Sequence, residues 1–453
     1  MLEVIILAAG EGRRMNSSLP KVVQPIGGQP MLLRLLAAVR ELDPDRIHVV
    51  VGAGAEHIER LLKGSDCNLI NQAERIGTGH AAAQVLPHVQ SESRLLILPG
   101  DMPLVRSRTL NQLLAIEADL SILSFTADDP TGYGRILRGV DGLVTAIREE
   151  KDASDEERGV REVNSGVLAA RADELTNWLE QIDRSNAQGE YYLTDCIGIA
   201  AARKRRVQAW IADTADELLG ANDRSQLAQL EQVFQRRARQ GLMAAGATLA
   251  DPDSVRVRGN VAVGQDVFID ANVTLIGEVS LGDGVEICTG CVVDTAQLAA
   301  GTRLKPYCVI EHAITEGACE IGPFARIRPG TRLGAEVKIG NFVETKNAHF
   351  APGSKASHLS YIGDATVGGE ANIGAGTITC NYDGVNKHRT EIGPGAFIGS
   401  NSALVAPVRI GAFSVIGAGS VITHDAPDGE LTVARTRQRS ISGWMRPERK
   451  RSE

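Results

Sequence analysis

The chain carries two hydrophobic rhythms that do not overlap. Up to about residue 220, short apolar runs alternate with stretches whose apolar residues recur every three or four positions. Residues 4–9, 47–51, 95–98 and 121–125 read as buried strands, and 31–42 and 55–63 as helices between them. This alternation predicts a mainly parallel, Rossmann-like α/β sheet over 1–222, covered on both faces, with ligands at the carboxyl ends of its strands.

From about residue 251 the helical signal vanishes and a six-residue beat begins. Val255, Val261, Val267, Val273, Val279, Val285 and Cys291 keep it; Leu298, Leu304 and Ile310 resume it after a one-residue slip. It continues through Ile321, Ile327, Leu333 and Ile339, then Tyr361, Val367 and Ile373, and finally Ile392, Ile398, Leu404, Ile410, Ile416 and Ile422. A period of six suits a coil with three flat faces, one inward aliphatic residue per face and a tight turn at each corner. The expectation over 246–453 is an all-β solenoid of roughly nine or ten rungs. The beat is lost at 340–360, which holds Lys346, His349, Lys355 and His358. It is lost again at 379–391, which holds Asn381, Tyr382, Lys387 and His388. Loops leaving a rigid scaffold commonly carry function. Between the halves, Leu227, Leu230 and Phe234 fall at helical spacing, predicting an amphipathic linker helix over 223–245.

At 453 residues the chain is too long for one core. Its 48 basic residues against 56 acidic ones argue against sequence-wide attraction to nucleic acid or anionic membranes. Any phosphate must therefore be held by local clusters. No apolar run reaches the length of a membrane span, and Met1 leads almost directly into a buried strand, so a cytoplasmic location is expected. Of seven scattered cysteines only Cys288 and Cys291 form a C-x-x-C. With no second pair at ligand spacing they read as reduced thiols. The tail from Arg435 turns basic and loses the beat.

Three motifs in the first half carry chemistry. Leu7-Ala8-Ala9-Gly10-Glu11-Gly12-Arg13-Arg14-Met15 follows the first strand, and Lys21 comes shortly after. A glycine-rich turn lets backbone N–H groups approach phosphates, a following helix N-terminus would add positive potential, and Arg14 and Lys21 add cations. Gln72 with Gly77-Thr78-Gly79-His80 offers small residues at a strand-to-helix turn. Pro99-Gly100-Asp101 puts a carboxylate at a strand end, where it suits a divalent metal on a phosphate. Asn222 alone reads as a helix cap.

These runs resemble the sugar-phosphate nucleotidyltransferases. Pro130-Thr131-Gly132-Tyr133-Gly134-Arg135, Glu149-Glu150-Lys151-Asp152, Glu162-Val163-Asn164-Ser165-Gly166 and Glu190-Tyr191-Tyr192-Leu193-Thr194-Asp195 narrow the likeness to bacterial N-acetylglucosamine-1-phosphate uridylyltransferases. The hexad array, with Gly340-Asn341-Phe342-Val343-Glu344, Lys355-Ala356-Ser357-His358 and Thr379-Cys380-Asn381-Tyr382-Asp383-Gly384, is similar to the glucosamine-1-phosphate acetyltransferase half of the same bifunctional family. The likeness runs in order over nearly the whole chain.

It implies a left-handed β-helix, UTP and acetyl-CoA as substrates alongside the two sugar phosphates, Mg²⁺, and a homotrimer with the acetyl-transfer site between helices. It implies that Leu7, Ala8, Ala9, Gly10, Arg14, Lys21, Gln72, Gly77, Thr78, Pro99 and Gly100 hold the nucleotide. Gly134, Glu149 and Asn164 would hold its sugar, and Asp101 with Asn222 would hold Mg²⁺. By the same resemblance His358 is a general base, and Arg328, Lys346, Tyr361, Asn372 and Lys387 bind glucosamine 1-phosphate. Ala375, Asn381, Tyr382, Ser400, Ala418 and Arg435 would contact acetyl-CoA. Three departures stand out: Glu11 and Arg13 replace a basic residue and Thr, Pro99 replaces Tyr, and Arg435-Thr436-Arg437 replaces R-V-P. A nucleotidyltransferase with a merely structural β-helix is the alternative, in which Lys346, His358 and Lys387 would be idle.

Overall fold

The computed structural model describes residues 1–10 and 12–446 and divides into two compact units, Met1–Arg237 and Ala238–Glu453. In the first, seven strands follow the order Val207–Ile211, Leu120–Thr126, Glu162–Arg171, Arg94–Pro99, Leu2–Leu7, Arg46–Val51, Cys67–Asn71. All are parallel except Glu162–Arg171, which runs against both neighbours. Val4, Ile5, Ile6 and the run from Leu95 to Leu98 are buried, as strands covered on both faces must be. The helices Met31–Arg40 and Ala55–Leu61 end about two residues earlier than the periodicity implies. The first strand ends at Leu7, and the Ala8 N–H makes the last ladder bond to its neighbour, donating to the Val50 carbonyl.

One helix, Arg224–Ala244, spans the stretch between the two halves. The division between the units falls within it, at Arg237, rather than at residues 222 and 245. Its first turns belong to the α/β unit. Phe234 packs on Gly27, whose φ of 55° and close ring contact leave no room for a Cβ, and the Arg34 guanidinium lies 4.0 Å from the Phe234 ring centroid. Its last turn places Leu242 in the core of the second unit.

The second unit is a parallel β-helix. One face stacks eleven strands, and the other two share a sheet of 17. Ala247–Leu249 and Leu431–Thr432, short strands outside the beat, are the two end strands of the eleven-strand face. Partners on successive turns, such as Glu286, Arg303, Glu320 and Lys338, are 17 or 18 residues apart, the length of three hexads or one residue less.

Four readings of the beat need correction. Each face buries two residues rather than one, usually a small residue followed two positions later by an aliphatic, as in Thr302 and Leu304 or Cys319 and Ile321. The series ending at Cys291 follows the first position and the series from Leu298 the second. The slip is therefore a change of position, and the real step there is five residues, from Val293 to Leu298. The apparent break at 340–360 is a change of residue type in an unbroken coil. Val343 and Thr345, Ala348 and Phe350, and Ser354 and Ala356 all point inward. Tyr361 is not inward; its neighbour Ile362 is. The second break is a true excursion. Asn372 pairs with Phe397, 25 residues on, so a loop of seven or eight additional residues leaves the coil between Ile378–Cys380 and Thr390–Ile392.

Cys291 is buried and inward as expected, and all seven cysteines are free. Burial pushes the Cys319 thiol up to about 11, which keeps it unreactive. Among the described residues no helix is long and apolar enough to cross a membrane, and no group of three His, Cys, Asp or Glu is placed to hold a metal.

Candidate active sites

At the carboxyl edge of the first unit's sheet lies a cavity of about 750 Å³. Eleven of the expected residues line it: Leu7, Ala9, Gly10, Lys21, Gln72, Gly77, Thr78, Pro99, Asp101, Glu149 and Asn164. The sheet supplies an apolar floor that sequence reasoning missed, including Ile122, Ile147 and Leu168, Ile197 of the helix Asp195–Ala202 adds to it, and Arg75 also lines the cavity. Ala8 and Gly100 are buried behind the loop, where a Cβ on Gly100 would press on the Leu7 carbonyl at 3.1 Å. Gly134 backs Glu149, whose carboxylate would lie 3.3 Å from a Cβ there. Arg14 is exposed and does not line the cavity. Glu11 and the side chain of Arg13 lie outside the described residues.

The helix dipole expected behind the glycine loop is not available. The loop leads into a single 3₁₀ turn, Arg13–Met15, and the first α-helix starts only at Met31. Positive charge comes instead from Lys21, whose stem crosses the glycines; a Cβ on Gly12 would fall 2.9 Å from it. Its ammonium donates to Asp101 Oδ2 at 2.5 Å and to Asn222 Oδ1 at 3.2 Å. Asn222 is therefore not the cap of the following helix. Asp223 accepts the Gln226 N–H in that role, which leaves the Asn222 carboxamide oxygen facing the site.

Gly77 also departs from expectation. Its close approach is to the protein's own backbone: a Cβ would meet the Tyr191 carbonyl oxygen at 2.3 Å, and φ is 121°. Gly79 N–H donates to that oxygen and Leu193 N–H to the Thr78 hydroxyl, so the turn clamps segment 191–193 onto the cavity wall. The next residue, Thr194, donates its hydroxyl to Glu149 at 2.9 Å. Burial lifts the Glu149 carboxyl above its ordinary range, with Thr194 opposing.

The second cluster occupies one corner of the β-helix. The carbonyls of Asn341, His358, Ala375 and Ser400 accept N–H bonds from Leu359, Gly376, Asn401 and Gly419 on the following turns. These residues thus form a column, and small side chains follow His358 along it. Ala418 continues the column, and its carbonyl accepts the Arg435 guanidinium at 2.8 Å. On the adjoining face Arg328 and Lys346 follow each other one turn apart, and Tyr361 pairs with Glu344. Arg328 donates to Glu344 at 2.7 Å. Tyr361 lies over Gly363, where a Cβ would fall 2.3 Å from its hydroxyl oxygen.

The excursion is pinned at both ends by Asp364, a buried carboxylate that sequence reasoning passed over. It accepts from the Asn347 amide at 2.7 Å and from Asn381 and lies 3.7 Å from Lys346, while its carbonyl accepts Thr390 N–H. Burial pushes this carboxyl up, but the two amides and the lysines outweigh it and leave it below the usual range. Within the loop Asp383 accepts from Asn386 N–H, the His388 ring and Val385 N–H, which hold its carboxyl well below that range. Lys387 pairs across the loop with exposed Tyr382, and neighbouring Lys346 lowers its ammonium's pKa. Asn372 stands apart. It pairs with Lys355 and Phe397 on the face before the His358 corner, away from Arg328, Lys346 and Tyr361.

Residues 4–165 match the MobA-like NTP transferase domain, 257–357 the GMPPB C-terminal domain, and 389–424 the bacterial transferase hexapeptide repeat. The chain is 53% identical to the bifunctional protein GlmU of Stenotrophomonas maltophilia strain K279a, over 99% of both chains. It is 51% identical to GlmU of Stutzerimonas stutzeri and 52% to GlmU of Azoarcus sp. strain BH72, each over 99% of this chain and 100% of the relative. A cavity at a nucleotidyltransferase sheet edge, a histidine column on a hexapeptide coil and this collinear identity have one reading: the chain belongs to the GlmU family of bifunctional transferases, with a uridylyltransferase and an acetyltransferase half.

Proposed function

We propose that the β-helix acetylates glucosamine 1-phosphate from acetyl-CoA, and that the α/β unit then joins the product to UMP from UTP, releasing pyrophosphate. In the first reaction His358 removes a proton from the attacking amine, which must be neutral to reach the thioester carbonyl. Arg328, Lys346 and Lys387 provide the charge that binds the sugar phosphate, with Tyr361 alongside. Asn381 and Tyr382 orient amine and thioester. The small residues Ala375, Ser400 and Ala418 leave a strip along the coil for the CoA arm, ending at Arg435. Asn372 lies across the corner from the cations, so its part in this site calls for a second copy to present it, in keeping with the homotrimer that the family likeness implies.

In the second reaction the sugar phosphate oxygen attacks the α-phosphorus in line, and the protein contributes positioning and charge rather than a covalent intermediate. Glu149 and Asn164 face the sugar, and the loop from Leu7 to Gly10 with Gln72 and Thr78 faces the nucleotide. Asp101 and Asn222 fit Mg²⁺: their oxygens already converge on a cation, the Lys21 ammonium, and this metal commonly takes one or two protein oxygens. When bound it would neutralise phosphate charge.

The observation that carries the reading is that His358, with three cations on the next face and excursion, and Asp101, with Lys21, belong to different compact units. The test is product analysis with glucosamine 1-phosphate, acetyl-CoA, UTP and Mg²⁺ together. A UDP-linked acetylated sugar is expected, and omitting acetyl-CoA should abolish it. A chain that consumes no acetyl-CoA contradicts the reading.

A further inference from the structure

We infer that Asn341 is the positioning residue that decides which nitrogen of His358 is free to take the proton. This rests on the proposed role of His358 as base.

A neutral imidazole carries one N–H and one lone pair, and only the lone pair can act as a base. His358 Nδ1 lies 2.6 Å from Asn341 Oδ1. An amide oxygen only accepts, so Nδ1 holds the hydrogen and donates it, and the lone pair is left on Nε2. Among the described residues Nε2 has no hydrogen-bond partner. Were the Asn341 amide reversed, its NH₂ would face Nδ1 and select the opposite tautomer, with the lone pair turned back into the coil.

Asn341 is well fixed for this task. It ends the strand Lys338–Asn341, pairs in register with His358, and accepts Leu359 N–H on its carbonyl at 3.0 Å. The backbone of the next turn packs tightly here: a Cβ on the preceding Gly340 would lie 1.8 Å from the Ser357 carbonyl oxygen. The following corner residue, Phe342, stacks on Phe324 with centroids 5.3 Å apart, and Phe324 stacks on Tyr307. The side-chain bond is not needed to build a corner. Pro306 two turns before and Ala375 two turns after hold the same column with side chains that can neither donate nor accept. Other charged or titratable groups nearby in the coil are Lys338 and Lys355 on the same face, and Arg326, Glu344, Lys346 and Tyr361 on strands of the next, with Arg328 just after the first of them. Among the described residues none of them bonds to the imidazole.

The experiment measures acetyl transfer from acetyl-CoA to glucosamine 1-phosphate across pH in the full-length chain. The parent is compared with Asn341→Leu, Asn341→Asp and His358→Ala, with uridylyl transfer and circular dichroism as folding controls. Asn341→Leu keeps the volume but removes the acceptor. Its kcat should fall about 10- to 100-fold, less than the general-base loss can reach (~10²–10⁴), while KM for the sugar phosphate stays within about twofold. Asn341→Asp keeps the acceptor and adds a negative charge, which favours the imidazolium. The base must be neutral, so the acid limb of the kcat/KM profile should move to higher pH, with turnover retained above it. Parental kcat in Asn341→Leu, or an unmoved acid limb in Asn341→Asp, overturns the inference while His358→Ala is inactive. If Asn341→Leu misfolds, the Asn341→Asp profile decides alone. Acetyl transfer by His358→Ala would instead overturn the base itself.

Discussion

In the α/β unit the site is assembled from segments that are distant in the chain: Lys21, Gln72, Asp101, Glu149, Asn164 and Asn222 meet only because the sheet aligns the ends of its strands. In the β-helix the corresponding residues form columns, with Asn341, His358 and Ala375 each 17 residues from the next and Ser400 displaced by the excursion. The first arrangement depends on the whole domain, so one misplaced turn moves many groups. The second depends on adjacent rungs, because each turn contacts only its neighbours. Substitutions should therefore have local consequences in the coil and concerted ones in the sheet domain.

The largest expected effect is on the coil's core. Leu304→Ala should destabilise the β-helix by about 2–5 kcal/mol. Hydrogen exchange should show protection lost first in the neighbouring strands Glu286–Ile287 and Glu320–Ile321, with uridylyl turnover unchanged. A parallel loss of uridylyl turnover would break the contrast. Next is Gly77→Ala. Its Cβ cannot be accommodated against Tyr191, and displacing segment 191–193 moves Thr194 and Glu149 as well, so kcat/KM for uridylyl transfer should fall by about 10². Acetyl transfer should be untouched. Lys387→Ala removes a charged donor from an exposed loop and should raise KM for glucosamine 1-phosphate about 10- to 100-fold in steady-state assays. Its melting temperature should stay near the parent's.

The smallest effect is a pH-dependent one. Burial raises the folded pKa of Glu149, so the folded chain keeps that proton to higher pH than the unfolded chain. The stability contribution is complete below the ordinary carboxylate pKa of about 4.3 and is lost as pH rises through the raised value. Glu149→Gln has no such loss. It should melt above the parent at neutral pH, and the gap should close on acidification. A gap that is independent of pH would mean that packing, not ionisation, sets the difference.

The two units also differed in how far the sequence exposed them. The hexad beat revealed the coil because one buried position recurs whatever the chain does elsewhere. It failed where inward residues are Thr345, Ser354 or Ala356, which fill the core without looking apolar. Asn341 was within reach, since one turn subtracted from His358 arrives at it. Four strands of the sheet domain were legible from their apolar runs, Lys21 as a cation shortly after the glycine loop, and Asp101 as a carboxylate at a strand end. The function of Gly77 was not, because its partner Tyr191 is 114 residues away and contributes only backbone. Asp364 was hidden for another reason: a carboxylate within a hexad looks like surface until two amides are seen to bury it.

The separability of the two sites is tested most directly by a reciprocal pair, His358→Ala and Asp101→Ala, each assayed for both reactions. His358→Ala should lose acetyl transfer by about 10²–10⁴ and keep parental uridylyl transfer. Asp101→Ala should keep acetyl transfer and lose uridylyl transfer by about 10²–10³. Loss of both activities in either folded variant would contradict the account of two independent active sites.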